Sequence, residues 1–257
     1  MSERVTAGVV LIGDELLSGR TRDINLQQIA QFLAPLGIPV VECRTVSDEE
    51  DRIVDAVNAL RDRCTYVFTT GGIGPTHDDI TADSVAKAFG VSIGERADAM
   101  AILDEWYSKT DTPLTESRRR MARIPDGATL VANPVTGAPG FQLENVFVMA
   151  GVPKIARGML EDIAPRLTRG AVTHAVTVSA GGLREGDIAD ALRTLQADHP
   201  GVSLGSYPFF VEQPGGSIKR GTNLVARSTD EGELETVAQA LETLVRQAGG
   251  IPARISD

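Results

Sequence analysis

The sequence predicts an α/β protein: an open, mostly parallel sheet in a three-layer arrangement, followed by a small α+β module. Three observations predict it. Short β-branched runs alternate with amphipathic helical stretches between residues 5 and 89. The third run opens into a glycine turn, TTGGIGPTHDDIT at residues 69–81, with a helix behind it. Beyond about residue 170 the alternation gives way to longer strands joined by a Pro/Gly loop.

Val5–Ile12 is a short apolar run ending in Gly13-Asp14-Glu15, as a buried strand would be. Asp23–Leu36 places Ile24, Ile29, Phe32, Leu33 and Leu36 on one helical face, and Gly37 closes it. Ile38–Val46 is the second strand. Ser47-Asp48-Glu49-Glu50 then has the spacing of a capping box, ahead of a helix burying Ile53, Val54, Val57 and Leu60. Thr65–Thr70 is the third strand. The next helix starts near Asp79 and turns Val85, Ala86 and Phe89 inward. The stretch from 95 to 125 reads as helical and charged, with Arg118-Arg119-Arg120 as a solvated face. NPVTGAPG at 133–140 is a turn cluster. Asn145–Met149 is another strand, ending in Ala150-Gly151-Val152-Pro153 before a helix. The pattern places one domain at 1–169 and a second at 173–257. In the second, Ala175–Ser179, Glu185–Gln196, Val202–Val211, Asn223–Arg227 and Glu233–Arg246 give β-α-β-β-α, with the loop EQPGGSIKRG between the last two strands.

Composition narrows the function. The 257 residues carry a net charge of −10, opposite in sign to a general binder of nucleic-acid backbones. From Thr173 onward there are seven Lys/Arg against eleven Asp/Glu. No stretch reaches the roughly 18 apolar residues of a membrane span, and the N-terminus lacks the pattern of a signal peptide. Cys43 and Cys64 read as reduced thiols packed near the core. A cytoplasmic protein without nucleic-acid or membrane partners is expected.

Four strand ends carry small or acidic residues, and in open α/β sheets ligands bind beyond the carboxyl ends of strands. Gly71, Gly72 and Gly74 allow close backbone approach and positive φ. Their amides and the helix start behind them suit an anion. The turn lacks the lysine of a GxxxxGK[ST] loop. Asp78 and Asp79 would repel a bare phosphate, and a magnesium ion resolves the conflict, because carboxylates and phosphate oxygens together hold Mg²⁺. Asp79 and Asp48 are the candidate metal ligands and catalytic carboxylates. The competing structural reading makes Asp78 or Asp79 a helix N-cap. His77 reads as a hydrogen-bonding histidine, with general base or metal ligand as the alternative, and His174 and His199 as structural. Trp106 and Tyr107 read as packing residues, with stacking on a nucleobase as the alternative.

TTGGIGPTHDDIT resembles the TTGGxGPTxDDxT signature of the competence/damage-inducible protein A (CinA) family. GDELLSGRTRDIN resembles that family's GDELLxGxxxDTN, with Ile24 where threonine is usual. NPVTGAPGF is similar to NPxGTAPGF, and VFVMAGVP to LPGVP, with Ala150 in place of proline. The resemblance covers about residues 3 to 168. It implies the molybdopterin-binding-like fold shared with the MogA, MoaB and MoeA proteins. The tail resembles the KH-like (ferredoxin-like) middle domain of the same family and the corresponding region of eukaryotic FAD synthase. The family's C-terminal deamidase domain has no counterpart before Asp257. The resemblance implies a metal-dependent hydrolase of a nucleotide pyrophosphate, ADP-ribose or FAD. The alternative it implies is a molybdopterin- or nucleotide-binding protein, carrier or adenylyl transferase, of molybdenum cofactor metabolism. It also implies Mg²⁺, Co²⁺ or Mn²⁺ as cofactor, a nucleotide or pterin ligand and a homo-oligomer. The matching positions make Asp14, Ser18, Gly19, Thr70, Gly71, Gly72, Gly74, Pro75, Asp78, Thr81, Gly151, Val152 and Pro153 candidates for substrate binding. The tail lacks a GxxG loop at the KH position, so it reads as an oligomerisation or site-covering module.

Overall fold

A computed structural model describes residues 4–212, 216 and 218–255. The chain divides into two compact units, Met1–Gly170 and Ala171–Asp257.

The first unit begins β1 (Ala7–Ile12), α1 (Asp14–Leu17), α2 (Asn25–Leu33), β2 (Val40–Val46), α3 (Glu50–Arg61), β3 (Tyr66–Thr70) and α4 (Thr81–Phe89). It continues with β4 (Ile93–Glu95), α5 (Ala97–Ser108), α6 (Glu116–Arg119), β5 (Arg123–Pro125), β6 (Thr129–Val131), β7 (Gly140–Leu143), β8 (Val146–Met149) and α7 (Pro153–Ile163). The main sheet runs β2-β1-β3-β8-β7-β6. β2, β1, β3 and β8 are parallel, and β7 is antiparallel to both neighbours. Side chains alternate across β1 because a strand repeats every two residues. Val10 and Ile12 pack under α3, α4 and α5. Val9 and Leu11 pack under α2 and α7. The expected three layers result.

Several details differ from the sequence reading. The Ser47–Glu50 capping box does not form: α3 starts at Glu50 with Glu49 as N-cap and no side-chain cap bond. Ala56, not Val54, completes the buried face of α3. Neither Asp78 nor Asp79 caps α4, whose N-cap is Ile80. The charged middle stretch is only partly helical, since β4 and β5 pair there as a short ribbon. Cys64 is buried, but Cys43 is exposed on β2, an edge strand whose burial merely alternates.

The second unit contains β9 (His174–Gly181), α8 (Glu185–Asp198), β10 (Ser203–Glu212), β11 (Ile218–Ser228), α9 (Glu231–Gln247) and β12 (Ile251–Ile255). Its antiparallel sheet has the order β10-β11-β9-β12, a split β-α-β pattern of ferredoxin type. Val178, Leu224, Ala226 and Ile188 pack with Leu234, Val237 and Leu241 of α9 in its core. The closing strand β12 was not legible, because it is an exposed edge strand containing Pro252. Part of the EQPGGSIKRG loop, residues 213–215 and 217, lies outside the described residues. His174 and His199 lie 3.3 and 3.6 Å from Glu231 and Glu233, in structural positions. Among the described residues no helix is long and apolar enough to cross a membrane.

Candidate functional site

The carboxyl ends of β2, β1, β3 and β8 lie side by side, and a cleft of about 640 Å³ opens above them. Its size suits a nucleotide-sized ligand. The floor is built by close backbone contacts. Gly71 has φ +107°, and a Cβ there would lie 2.1 Å from the Ile12 carbonyl oxygen. Its amide donates to the Met149 carbonyl at 3.2 Å, which ties the end of β3 to that of β8. Gly72, at φ +67°, presses on Thr81, whose hydroxyl donates to the Gly71 carbonyl at 2.9 Å. Gly74 lacks the expected positive φ. It is needed for room: its Cβ would stand 2.7 Å from the Asp79 carboxylate.

The Gly71 amide is therefore spent on the fold. Among the described residues the amides of Gly72, Ile73 and Gly74 meet no protein acceptor, which leaves these three donors free for a ligand. Asp79 accepts the Thr76 amide at 2.8 Å and the Thr76 hydroxyl at 2.5 Å, both on Oδ2. Oδ1 has no protein partner among the described residues. Asp48 accepts the Asp14 amide at 2.9 Å, which joins the ends of β1 and β2.

Glu15, Asp48, Asp78 and Asp79 all line the cleft, and among the described residues no Lys, Arg or His does. Gly71, Gly72, Gly74, Pro75, Gly151, Val152 and Pro153 line it as well. Thr70 and Thr81 lie buried beneath the floor. Asp14, Ser18 and Gly19 lie outside the lining, and Glu15 and Thr21 represent their segment instead. His77 is 99% exposed and outside the lining, 3.9 Å from Asp78. Trp106 packs on the turn at Gly137. Tyr107 reaches the cleft wall beside Met121, Asn133, Thr136 and Ala138.

One residue went unnoticed in the sequence. Asn25, at the start of α2, is 6% exposed. Its Nδ2 donates to the Gly151 carbonyl at 2.7 Å and to the Thr70 hydroxyl at 3.3 Å. It bridges the glycine turn and the 150–153 turn from below. The asparagine of the GDELLSGRTRDIN segment was the available signal.

Burial pushes the Asp48 carboxyl above its ordinary 3.8, and the neighbouring charges of Asp14, Glu15 and Asp78 push the same way, against the pull of the Asp14 amide. A raised carboxyl pKa in the fold means that stability falls as pH rises from 3.8 through the folded-state value. The loss then persists at neutral pH. Asp48→Asn keeps an oxygen for the Asp14 amide and removes the charge. Its Tm is expected to exceed that of the native chain at pH 7, with the difference vanishing towards about pH 4. A lower Tm at pH 7, by calorimetry, would contradict this account.

Among the described residues no three His, Cys, Asp or Glu side chains cluster closely enough to cage a metal. A cation such as Mg²⁺ needs only one or two carboxylates, because ligand phosphates and water complete its shell. Asp48 and Asp79, both in the lining, are the carboxylates that would hold such an ion.

Residues 8–169 match the family described as a probable molybdopterin binding domain, and residues 170–252 match the middle domain of FAD synthase. The chain is 36% identical over 212 residues to a CinA-like protein of Gemmatimonas aurantiaca, covering 78% of this chain and 50% of that one. It thus spans half the length of that relative. A protein of Aeropyrum pernix is 35% identical over 263 residues, covering 98% of this chain and 95% of its own. The crystal structure of CinA, of unknown function, from Thermoplasma acidophilum superposes with a TM-score of 0.59 at 32% identity, over 64% of this chain and 99% of that one.

Proposed function

We propose, for a chain that belongs to the probable molybdopterin binding domain family and has a CinA-like build, that the cleft hydrolyses a nucleotide pyrophosphate of the ADP-ribose or FAD class with a divalent cation. One observation carries the reading. The turn Gly72–Gly74, whose amides are unbonded, lines a cleft holding four carboxylates and no basic side chain among its described lining. Amides attract phosphate, whereas carboxylates repel it unless a cation lies between them.

The amides of Gly72, Ile73 and Gly74 hold the diphosphate, and the turn at Gly151–Pro153 receives the far end of the ligand. Thr76 fixes the Asp79 carboxylate so that Oδ1 faces its task without a rotamer search. Asp48, whose raised pKa makes its carboxylate a stronger base, accepts a proton from the attacking water. The P–O–P bridge breaks, giving AMP and a second phosphate ester. A bound divalent cation supplies Lewis acidity to the phosphate oxygens. The match to the FAD synthase middle domain supports a nucleotide ligand.

A second reading has its own support in the family match: the cleft binds molybdopterin or a nucleotide without hydrolysis, or adenylylates the pterin. A product scan separates the two. Full-length protein is incubated with ADP-ribose, FAD, NAD or ATP, each with Mg²⁺, Mn²⁺ or Co²⁺, and products are read by mass. AMP from ADP-ribose or FAD, abolished by EDTA, is expected. No product from any substrate would overturn the hydrolase reading in favour of the pterin one.

A further inference from the structure

The row Arg118-Arg119-Arg120 reads in the sequence as one solvated face, and the structure separates its members. Arg118 donates to the Pro113 carbonyl and lies over the Tyr107 ring at 5.3 Å. Arg119 pairs with Glu95 at 2.5 Å. Arg120 follows as the chain tightens into a 3₁₀ turn over Arg120–Ala122. That turn sends it elsewhere: Arg120 lines a second, smaller cavity with Gly72, Gly74, Asp79 and Asp83. Among the described residues no carboxylate lies within ion-pair distance of Arg120. The other cation of that cavity, Arg123, is committed to Asp83, which raises the guanidinium pKa.

Gly72, Ile73, Gly74 and Asp79 line both cavities. The two cavities therefore adjoin at the turn, where Asp79 is common to both and Arg120 is the guanidinium without an ion-pair partner among the described residues. Gly72 and Gly74 put no side chain between the turn backbone and the cavity that Arg120 lines.

We propose that Arg120 is the protein's cationic contact to the phosphates of a nucleoside diphosphate group held on the Gly72–Gly74 turn. The inference rests on the reading that this turn binds phosphate. It deepens that reading by assigning the charge contact that the cleft lining lacks. A guanidinium offers two parallel N–H donors to a phosphate, which an ammonium does not. Arg120 is exposed, so solvent screens the contact and its effect is moderate.

The test is calorimetric titration of the full chain with ADP and Mg²⁺, with AMP and adenosine for comparison. Arg120→Ala is expected to weaken ADP binding about tenfold, weaken AMP less and leave adenosine unchanged. Arg120→Lys recovers part of the loss. Arg119→Ala, which removes the same charge one residue away, leaves the ADP affinity within about twofold. Native ADP affinity in Arg120→Ala overturns this assignment alone. No ADP binding by the native chain overturns it together with the phosphate reading. Equal losses for ADP and adenosine overturn it in favour of a structural role, and so does a collapse of Tm common to both Arg120 variants.

Discussion

Asp79→Asn is expected to lower pyrophosphate turnover by about a hundredfold or more while leaving the fold and metal-free nucleotide binding intact. The substitution keeps the shape of the side chain. The amide oxygen of asparagine still accepts the Thr76 amide and hydroxyl, which now meet Oδ2 at 2.8 and 2.5 Å. The turn therefore keeps its anchor. The change falls on Oδ1, the oxygen without a protein partner, which becomes a neutral donor unable to bind a cation. The loss should appear in kcat, with KM for ADP-ribose nearly unchanged, because the interaction matters most where charge builds on the bridging oxygen. Steady-state kinetics with Mg²⁺, beside a thermal melt, gives the answer. Unchanged turnover in a folded variant would remove Asp79 from the chemistry.

The largest stability effect is expected at Gly71. An alanine there meets the Ile12 carbonyl at 2.1 Å and must hold φ +107°, which L-residues rarely adopt. The obstructing atom is backbone in the central strand β1, so no side chain can swing aside. Gly71→Ala should cost about 3 kcal/mol or more, read as a fall in the urea midpoint at constant slope. Gly19→Ala is the control. Gly19 also has positive φ, at +72°, but nothing lies within 4 Å of its Cβ. Only the backbone term remains, about 1–2 kcal/mol. Equal costs at the two positions would show that conformation rather than crowding makes glycine necessary at 71.

The open sheet was legible because its signals are local and repeated. Strands β1, β3 and β8 are short apolar runs, each ending in a glycine or acidic turn, and the rule for parallel sheets places such ends together. Which side chain at an end faces the cleft was not legible. Asp14 and Glu15 are adjacent acids on the one-turn helix α1, and a shift of one residue rotates a helical position by about 100°. Only the packed phase of that turn puts Glu15 in the lining. The Ser47–Glu50 pattern failed for a related reason. Asp48 is engaged by the Asp14 amide, 34 residues away in the chain, and no local capping rule contains that partner. Asn25 escaped because a buried amide and an exposed one look alike in sequence. The β6–β7 hairpin escaped because three- and four-residue strands are too short to display a period.

The bridge made by Asn25 bears on the kinetics of capture. Its amide joins Thr70 to Gly151 from beneath, while Gly71 donates to Met149 and the Gly151 Cβ position lies 3.2 Å from the Gly71 Cα. These links leave the two turns little freedom to part. On the proposed phosphate-binding role, the conformation that accepts a ligand is then the resting one, and no fraction of the affinity is surrendered to selecting a rare open form. Association should be governed by encounter and by the supply of cation. The Gly71 amide proton, bonded to Met149, should exchange with solvent only when the surrounding sheet opens as a unit, whereas the unbonded amides of Gly72, Ile73 and Gly74 should exchange far faster.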